Sequence, residues 1–227
     1  MAEPDETVIW LRPERAAAGR PAERSRAEIT AAALDLADRE GLDAVSMRRV
    51  AALLGTGAAS LYRYIATRDD LLDLMTDATG AEYDLPRPTG DWRADLLAVA
   101  RQTRQIMRRH PWLPPLVITR PALGPHAADV LERVLELLAD HPAPAARKLE
   151  AFALLNAMTA LFVQNEPAAA TPSAAARRTA YLRHVSAAGT HPRIAAALAD
   201  LAGPAAGPDD TDPFDGAITR VLNGLLG

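Results

Sequence analysis

The chain of 227 residues has a formal net charge of −4 and no cysteine, and 49% of its residues are apolar. This apolar fraction supports a buried core, whereas the lack of cysteine excludes disulfides, thiolate zinc sites and a cysteine nucleophile. The longest apolar stretch, Ala151 to Val163, is interrupted by Asn156 and Thr159, and it is shorter than the ~20 residues that a membrane span needs. The acidic N-terminus has no apolar run typical of a signal peptide. We therefore expect a cytoplasmic protein with no membrane partner.

Charge is distributed unevenly along the chain. A net negative charge disfavours nucleic-acid binding, which is usually carried by a basic domain. However, no acidic residue lies between Asp43 and Asp69. The same window carries four arginines, Arg48, Arg49, Arg63 and Arg68. A GC-rich genome would explain the abundance of arginine but not the acid-free window, which favours contact with a polyanion.

Residues 1–24 show no helical periodicity, and Pro4, Pro13 and Pro21 interrupt regular structure. This pattern predicts a flexible N-terminal arm. Arg20 would lie along a minor groove of DNA, where the enhanced negative potential favours arginine. A tail whose charges are simply solvated is the alternative.

Residues 25–80 predict a small helical domain. Ser25 and Glu28 form the S-x-x-E pattern of a capping box, and Gly41 is placed to end the first helix. Ser46 is placed to cap the second helix.

The second and third helices form a helix-turn-helix outline. Gly55 is the turn residue, and the third helix is expected over residues 58–65. Thr67 and Asp70 form a second capping box, which opens a fourth helix ending near Thr79. Small residues at the start of the third helix would permit a close approach to the groove floor. Its tyrosines and arginine suit phosphate and base-edge contacts.

The stretch LYRYIATRDDLL, preceded by SMRRVAALLG, resembles the DNA-binding domain of the TetR family of bacterial repressors. It is most similar to the subgroup whose third helix reads G-A-x-S-L-Y-R-Y. The resemblance covers about residues 20–80. The commoner family pattern begins its third helix with Ser-Lys-Gly-Thr, where this chain has Gly57, Ala58, Ala59 and Ser60. A different base sequence is therefore expected to be read.

Matched by position, the resemblance implies a set of DNA contacts. Ser46 would touch a phosphate, and Arg48 would reach a base, guanine being the natural partner. The free amides and positive dipole at Thr67 and Arg68 would face a phosphate. The other expected contacts are the groove-facing residues Gly57, Ala58, Ala59, Ser60 and Arg63, and the backbone-clamping residues Tyr62, Tyr64 and Arg68. Packing of the two tyrosines inside the small domain is the alternative.

Residues 91–227 predict a larger helical domain that follows a proline-containing linker. Apolar residues at helical spacing predict helices over residues 92–109, 125–139, 145–164, 173–188, 191–201 and 213–226. The proline-rich run from His110 to Pro125 predicts one short helical turn between bends. We see no strand pattern and no repeat. The predicted fold is all-α, with an N-terminal three-helix helix-turn-helix domain and a C-terminal ligand-binding and dimerisation domain.

Three further motifs, HPWL, RPALGPHA and the closing F-D-x-x-I-x-x-V-L-x-G-L, resemble the C-terminal domain of tetracycline-repressor-type proteins. The resemblance implies that two helices of each subunit, over residues 145–164 and 213–226, form a four-helix dimer interface. The expected interface residues are Leu154, Met158, Leu161, Phe214, Ile218, Val221 and Leu225. Packing of the last helix within its own subunit is the alternative.

The same resemblance implies a cavity for a small apolar ligand. Helix faces suggest that it is lined by Met107, Trp112, His126, Phe152, Asn156 and Phe162. A histidine without a ligand role is the alternative for His126. The five histidines show no metal-ligand spacing, and the sequence has neither a phosphate-binding loop nor a nucleophile elbow. We therefore expect no metal, no cofactor and no enzymatic activity.

Together these features predict a homodimeric transcriptional repressor that binds a palindromic operator in double-stranded DNA and is released by a small molecule. A DNA-binding regulator controlled by a protein partner is one alternative. An all-helical enzyme or carrier is the other.

Overall fold

The computed structural model describes residues 8–14, 24–85, 87–169, 172–202 and 212–227. Within these ranges the chain is helical and contains no strand, as the sequence predicts. The helices are α1 (Arg26–Glu40), α2 (Met47–Leu53), α3 (Ala58–Leu61), α4 (Arg68–Ala78), α5 (Trp92–Arg109), α6 (Leu113–Thr119), α7 (Pro125–Leu137), α8 (Ala145–Ala169), α9 (Pro172–Ala187), α10 (Pro192–Ala202) and α11 (Pro213–Leu226). None of the helices in the described part of the chain is long and apolar enough to cross a membrane.

Local capping chemistry sets the boundaries of the N-terminal helices. The Ser25 side chain accepts the Glu28 N–H while the Glu28 carboxylate accepts the Ser25 N–H, which confirms the predicted capping box of α1. Thr67 and Asp70 make the same reciprocal pair at α4. Gly41 ends α1 with a φ of 83°, a conformation that favours glycine.

Two helices differ in length from the prediction. The chain leaves the α-helix at Leu61 rather than near residue 65, and it continues as a turn in which the Tyr64 N–H donates to the Leu61 carbonyl over 2.9 Å. This turn directs Ile65 into the core, where it is fully buried. At the other extreme, α8 runs five residues beyond its predicted end at Gln164 and stops at Ala169.

One hydrophobic core joins the helix-turn-helix unit to the rest of the molecule. It contains Leu36 of α1 and Leu71 of α4, and it continues without a break to Met107 of α5, Leu116 of α6 and Val163 of α8. The predicted domains over residues 25–80 and 91–227 therefore share buried side chains instead of meeting at a polar boundary.

A second core lies where α5, α8 and α11 pack together. Phe214 of α11 is fully buried there, in edge-on contact with Phe162 of α8 at 5.4 Å between ring centroids. Ile218 is also fully buried. The predictions that Phe214 and Ile218 form a dimer interface and that Phe162 lines the ligand cavity are therefore wrong. These two residues of the apolar stripe of α11 pack within their own subunit, and Phe162 takes part in that packing.

The start of α11 is fixed by an ionic cluster. Arg104 of α5 contacts the carboxylates of Glu166 and Asp212 at 2.8 and 2.5 Å. Asp212 also accepts the Phe214 N–H, and this backbone hydrogen bond together with Arg104 lowers the pKa of the Asp212 carboxyl. Asp212 is therefore ionised at neutral pH, as a carboxylate that caps a helix N-terminus should be.

The predicted flexible arm is partly packed against the body. Ile9 begins a 3-10 turn, Ile9–Leu11, and its side chain is only 2% exposed. The prediction of a flexible arm is thus wrong for residues 8–14. Arg20 lies outside the described residues.

Phe214→Ala should lower the free energy of unfolding by about 3–5 kcal/mol, because it removes a fully buried ring and leaves a void between α5, α8 and α11. Urea titration followed by circular dichroism, at one fixed protein concentration, measures this change. Tyr181→Ala is the control, since that ring is 68% exposed, and its effect should stay within about 0.5 kcal/mol. Equal stability of the two variants would show that α11 does not close this core.

Candidate DNA-binding surface and ligand cavity

The turn between α2 and α3 is shaped by Gly55. Its φ of 66° lies in the left-handed region that glycine adopts at little cost. The Arg24 guanidinium donates to the carbonyl of Leu54 at the end of α2, with a distance of 2.6 Å. This role of Arg24 was not predictable from the sequence, because Arg24 lies ahead of α1 and 30 positions from Leu54.

The predicted DNA-contact residues fall into three groups by exposure. Arg48, Gly57, Ala59, Tyr62, Arg63, Thr67 and Arg68 are exposed, whereas Ser46, Ala58 and Ser60 are half-buried. Tyr62 is 52% exposed, so its side chain is available to a partner. Tyr64 is only 6% exposed and packs in the shared core. Its predicted role as a backbone clamp is therefore corrected to that of a core residue, because the turn after α3 directs its ring inward.

The four arginines of the acid-free window differ in how they are held. Arg49 contacts Glu40 of α1 at 2.7 Å. Arg68 donates to the Val45 carbonyl over 3.2 Å, and Arg63 donates to Ser60 over 3.3 Å. Within the described ranges, Arg48 is the member of this group without a hydrogen bond or an ion pair. Its guanidinium can therefore enter a groove without breaking an intramolecular contact.

A cavity of about 340 Å³ that opens to the surface is lined by residues of α4, α5, α6, α7 and α8. Its wall includes Thr76, Thr79, Gly80, Tyr83, Thr103, Ile106, Met107, Leu113, Val117, Ala127, Val130, Leu131, Phe152, Asn156 and Ala157. None of the described residues lining it is charged. In the same described ranges, no three His, Asp or Glu side chains come together as metal ligands would.

The polar groups of the cavity wall are neutral. The Tyr83 hydroxyl and the Thr103 hydroxyl lie 2.8 Å apart and share a hydrogen bond. Burial raises the pKa of Tyr83 to about 12, so the phenol keeps its proton at physiological pH. Asn156 donates to the carbonyl of Phe152 over 3.2 Å, which leaves its side-chain carbonyl as an acceptor. The cavity therefore suits an uncharged molecule with a few hydroxyl or carbonyl groups.

Three of the six predicted ligand-lining residues, Met107, Phe152 and Asn156, lie in the cavity wall. Trp112 does not: it is 4% exposed, belongs to the shared core and donates its indole N–H to Asp38 over 2.7 Å. The prediction for Trp112 is therefore wrong, because a long-range polar partner orients its ring. His126 is not in the cavity wall but lines an adjoining polar cleft with Asp129, and this cleft shares Gly80, Tyr83 and Val130 with the cavity.

Two direct contacts connect the DNA-binding unit to the cavity wall. Asp77, at the C-terminal end of α4, is 5% exposed and accepts the Ala127 N–H in the first turn of α7 over 2.9 Å. His110, at the end of α5, lies between Asp38 of α1 and Glu82, with nitrogen–oxygen distances of 2.7 and 2.6 Å. Neither contact was predictable from the sequence, because the paired residues are 28 to 72 positions apart.

Two glycines allow helices to approach closely at the Asp77 contact. A Cβ on Gly124 would lie 2.5 Å from both Trp10 Cε2 and Asp77 Oδ1, and a Cβ on Gly80 would lie 2.9 Å from His126 Cβ. Any larger residue at either position would push α7 away from α4. The motif RPALGPHA contains Gly124, but its partner on α4 cannot be read from the motif.

Known proteins of one family match most of the chain. The sequence model for "Bacterial regulatory proteins, tetR family" matches residues 29–75, and that for "Tetracyclin repressor-like, C-terminal domain" matches residues 85–227. The HTH-type transcriptional repressor DrrR1 of Streptomyces coeruleorubidus is 36% identical over 229 residues, covering 96% of this chain and 83% of that protein.

Solved structures are similar to the fold as well as to the sequence. The TetR family protein ActR of Streptomyces coelicolor is 30% identical, with TM-scores of 0.76 in its complex with (S)-DNPA and 0.72 in its complex with actinorhodin. In both cases the similarity covers 89% of this chain and 97% of that chain.

Gly124→Ala should lower the free energy of unfolding by about 1–3 kcal/mol, because the new methyl group would overpack the contact between α4 and α7. Thermal and urea unfolding measure the change. Gly224→Ala is the matched control: a Cβ there meets nothing within 4 Å, and removing a glycine from a helix should be stabilising by about 0.5–1 kcal/mol. A Gly124 variant as stable as the parent would contradict the close approach described above.

Proposed function

This chain belongs to the TetR family of bacterial transcriptional regulators, and from that membership we propose that it is a repressor released from a palindromic operator by a small uncharged molecule. The chain is a DNA-binding, ligand-responsive regulator of transcription. The observation that carries the finer proposal is the uncharged cavity whose wall includes Thr76 and Thr79, at the end of the helix that also builds the DNA-binding core.

In this proposal α3 lies in the major groove and α2 crosses the DNA backbone. Arg48 is the base-reading residue, since it has no competing partner among the described residues and an arginine can make two hydrogen bonds to guanine. Arg68 and the first amides of α4 hold a phosphate. The exposed side chains of Tyr62 and Arg63 add contacts at the groove edge, and the small side chain of Ala59 leaves room for the base pairs.

Two copies are needed to read a palindrome. On α8 the side chains of Leu154 and Leu161 are 42% and 48% exposed, while Met158 is half-buried on the same helix. On α11, Val221 and Leu225 are half-buried. These side chains support a homodimer in which α8 and α11 of each copy pack together and place two α3 helices about 34–36 Å apart.

The chemistry of the cavity limits its ligand. Transferring an ionised group into an apolar site without a charged partner is strongly unfavourable, so the ligand is neutral and mostly apolar. Hydroxyl or carbonyl groups on it would pair with Thr103, Tyr83 or Asn156. ActR, a relative of similar fold, has been solved in complex with the small molecule actinorhodin.

Release follows if the ligand favours a conformation in which the two reading helices no longer match the groove spacing. The cavity wall and the DNA-binding core share α4, so a displaced α7 would act on α4 through Asp77. A coupling of about 1–3 kcal/mol is enough to change operator affinity by a factor of about 5–150.

The proposal is tested by footprinting the purified protein on the DNA upstream of its own gene, with and without a ligand. We expect a protected palindrome, and we expect release by 1,8-dihydroxyanthraquinone, a neutral three-ring molecule that suits the cavity. Ala157→Phe should fill the cavity and weaken ligand binding at least about tenfold, which corresponds to 1.4 kcal/mol. Operator affinity without ligand should be unchanged.

Ala146→Phe is the matched control, because Ala146 is exposed near the start of α8 and does not line the cavity. It should bind and release like the parent protein. A protected operator that no neutral aromatic compound releases, but that a co-purifying protein does, would favour the alternative of control by a protein partner. Failure to bind any upstream DNA would contradict the proposal as a whole.

Arg48→Ala should cost about 1–3 kcal/mol of operator binding and relax the preference at one base pair, whereas Arg68→Ala should weaken all sites alike. Fluorescence anisotropy on operators substituted one base pair at a time separates the two effects. Arg49→Ala is the control, since Arg49 is already paired with Glu40, and it should leave the base preference unchanged. Unaltered operator affinity in both the Arg48 and the Arg68 variants would contradict this assignment.

A further inference from the structure

Residues 8–14, which we call the N-terminal strap, lie against both the DNA-binding unit and the start of α7. Ile9 is 2% exposed and Trp10 is half-buried. The next residue, Leu11, is 74% exposed. A segment with no contacts would expose all three side chains. The strap is therefore held in place by specific contacts of Ile9 and Trp10.

One guanidinium connects the strap to the end of the reading helix. Arg26, the first residue of α1, donates to the carbonyls of Ile9 and Arg12 over 3.0 and 2.8 Å. Its Nε donates to the carbonyl of Tyr64 over 3.0 Å. Tyr64 lies in the turn that follows α3, so the side chain of Arg26 bridges the strap and the C-terminal end of α3.

A second contact joins the strap to α4. The Arg12 guanidinium pairs with the carboxylate of Asp70, which also accepts the Thr67 N–H over 3.0 Å in the capping box of α4. The side chains of Arg12 and Asp70 are 21% and 12% exposed, so this ion pair is partly shielded from water. It is therefore screened less by salt than a surface pair.

Trp10 connects the strap to the cavity wall. A Cβ on Gly124 would lie 2.5 Å from Trp10 Cε2, which places the indole directly over the residue that precedes α7. Gly124 also faces Asp77, and Asp77 holds the Ala127 N–H. Since Ala127 lines the cavity, a shift of the start of α7 would move the surface on which Trp10 rests.

We propose that the N-terminal strap is a second link between the ligand cavity and the reading helix, with Trp10 as the positioning residue. The covalent link through α4 enters the reading helix from its C-terminal side, because α4 follows α3 in the chain. The strap acts in parallel: a displaced α7 moves Trp10, and Arg26 passes the movement to the end of α3. This inference rests on the proposed release by ligand.

The test compares Trp10→Ala with Leu11→Ala, an adjacent variant that removes an exposed side chain. Operator affinity is measured with and without 1,8-dihydroxyanthraquinone. In the Trp10 variant the ratio of the two affinities should fall at least about threefold relative to the parent. An allosteric coupling typically changes affinity by a factor of about 5–150, so a threefold loss is a measurable part of it. Leu11→Ala should leave the ratio unchanged, and Trp10→Phe, which retains a ring, should restore most of it. An unchanged ratio in Trp10→Ala would overturn the proposal.

A second measurement needs neither ligand nor operator. Hydrogen exchange on the full chain should rise in Trp10→Ala both at the start of α7, where the Ala127 N–H is bound to Asp77, and at the start of α1, where the Arg26 N–H is bound to Glu14. Faster exchange confined to residues 8–14 would overturn the strap as a link. A parent protein that this compound does not release would count against the proposed release by a neutral aromatic molecule, and this exchange pattern would still decide whether the strap connects the two regions.

Discussion

The buried carboxylate of Asp77 is the contact on which the connection between cavity and DNA depends. It lies at the end of α4 and accepts the Ala127 N–H at the start of α7. The first N–H groups of a helix have no partner within the helix, so a helix start that packs against the protein is stabilised by an acceptor from elsewhere. Here that acceptor belongs to the helix that also carries Leu71, Leu72 and Met75 into the DNA-binding core. The start of α7 cannot move far without moving α4 or losing this hydrogen bond.

The continuous core makes this connection effective. Side chains in a protein interior pack as densely as molecules in organic crystals and do not slide freely past one another. Because Leu36 and Met107 belong to one packed cluster, the helix-turn-helix unit is not suspended on a flexible linker. The cavity is the exception: atoms lining an empty space lack contact partners on one side. A ligand that supplies those contacts can favour one arrangement of α4, α7 and α8 over another.

Features fixed by neighbouring residues were predictable from the sequence. Ser25 with Glu28, Thr67 with Asp70, and Gly41 and Gly55 each act within a few positions, and the capping boxes confirmed the boundaries of α1 and α4. The residue against which a distant apolar side chain packs was not predictable. Phe214 has the same periodicity whether it packs on a second subunit or on Phe162, and Trp112 is oriented by Asp38, 74 positions away. The burial of Tyr64 was not predictable either, because the direction of its side chain depends on where α3 ends.

The central claim is that a ligand in the cavity changes the spacing of two DNA-reading units, and a distance measurement between the units tests it most directly. The chain has no cysteine, so Ala31→Cys on the exposed side of α1 allows one spin label per subunit. Pulsed electron paramagnetic resonance on the free dimer and on the operator complex should give one distance distribution, consistent with reading helices about 34–36 Å apart. Saturation with ligand should shift the free dimer to a different mean distance. A ligand that saturates the cavity and releases the DNA while this distribution stays unchanged would contradict the account.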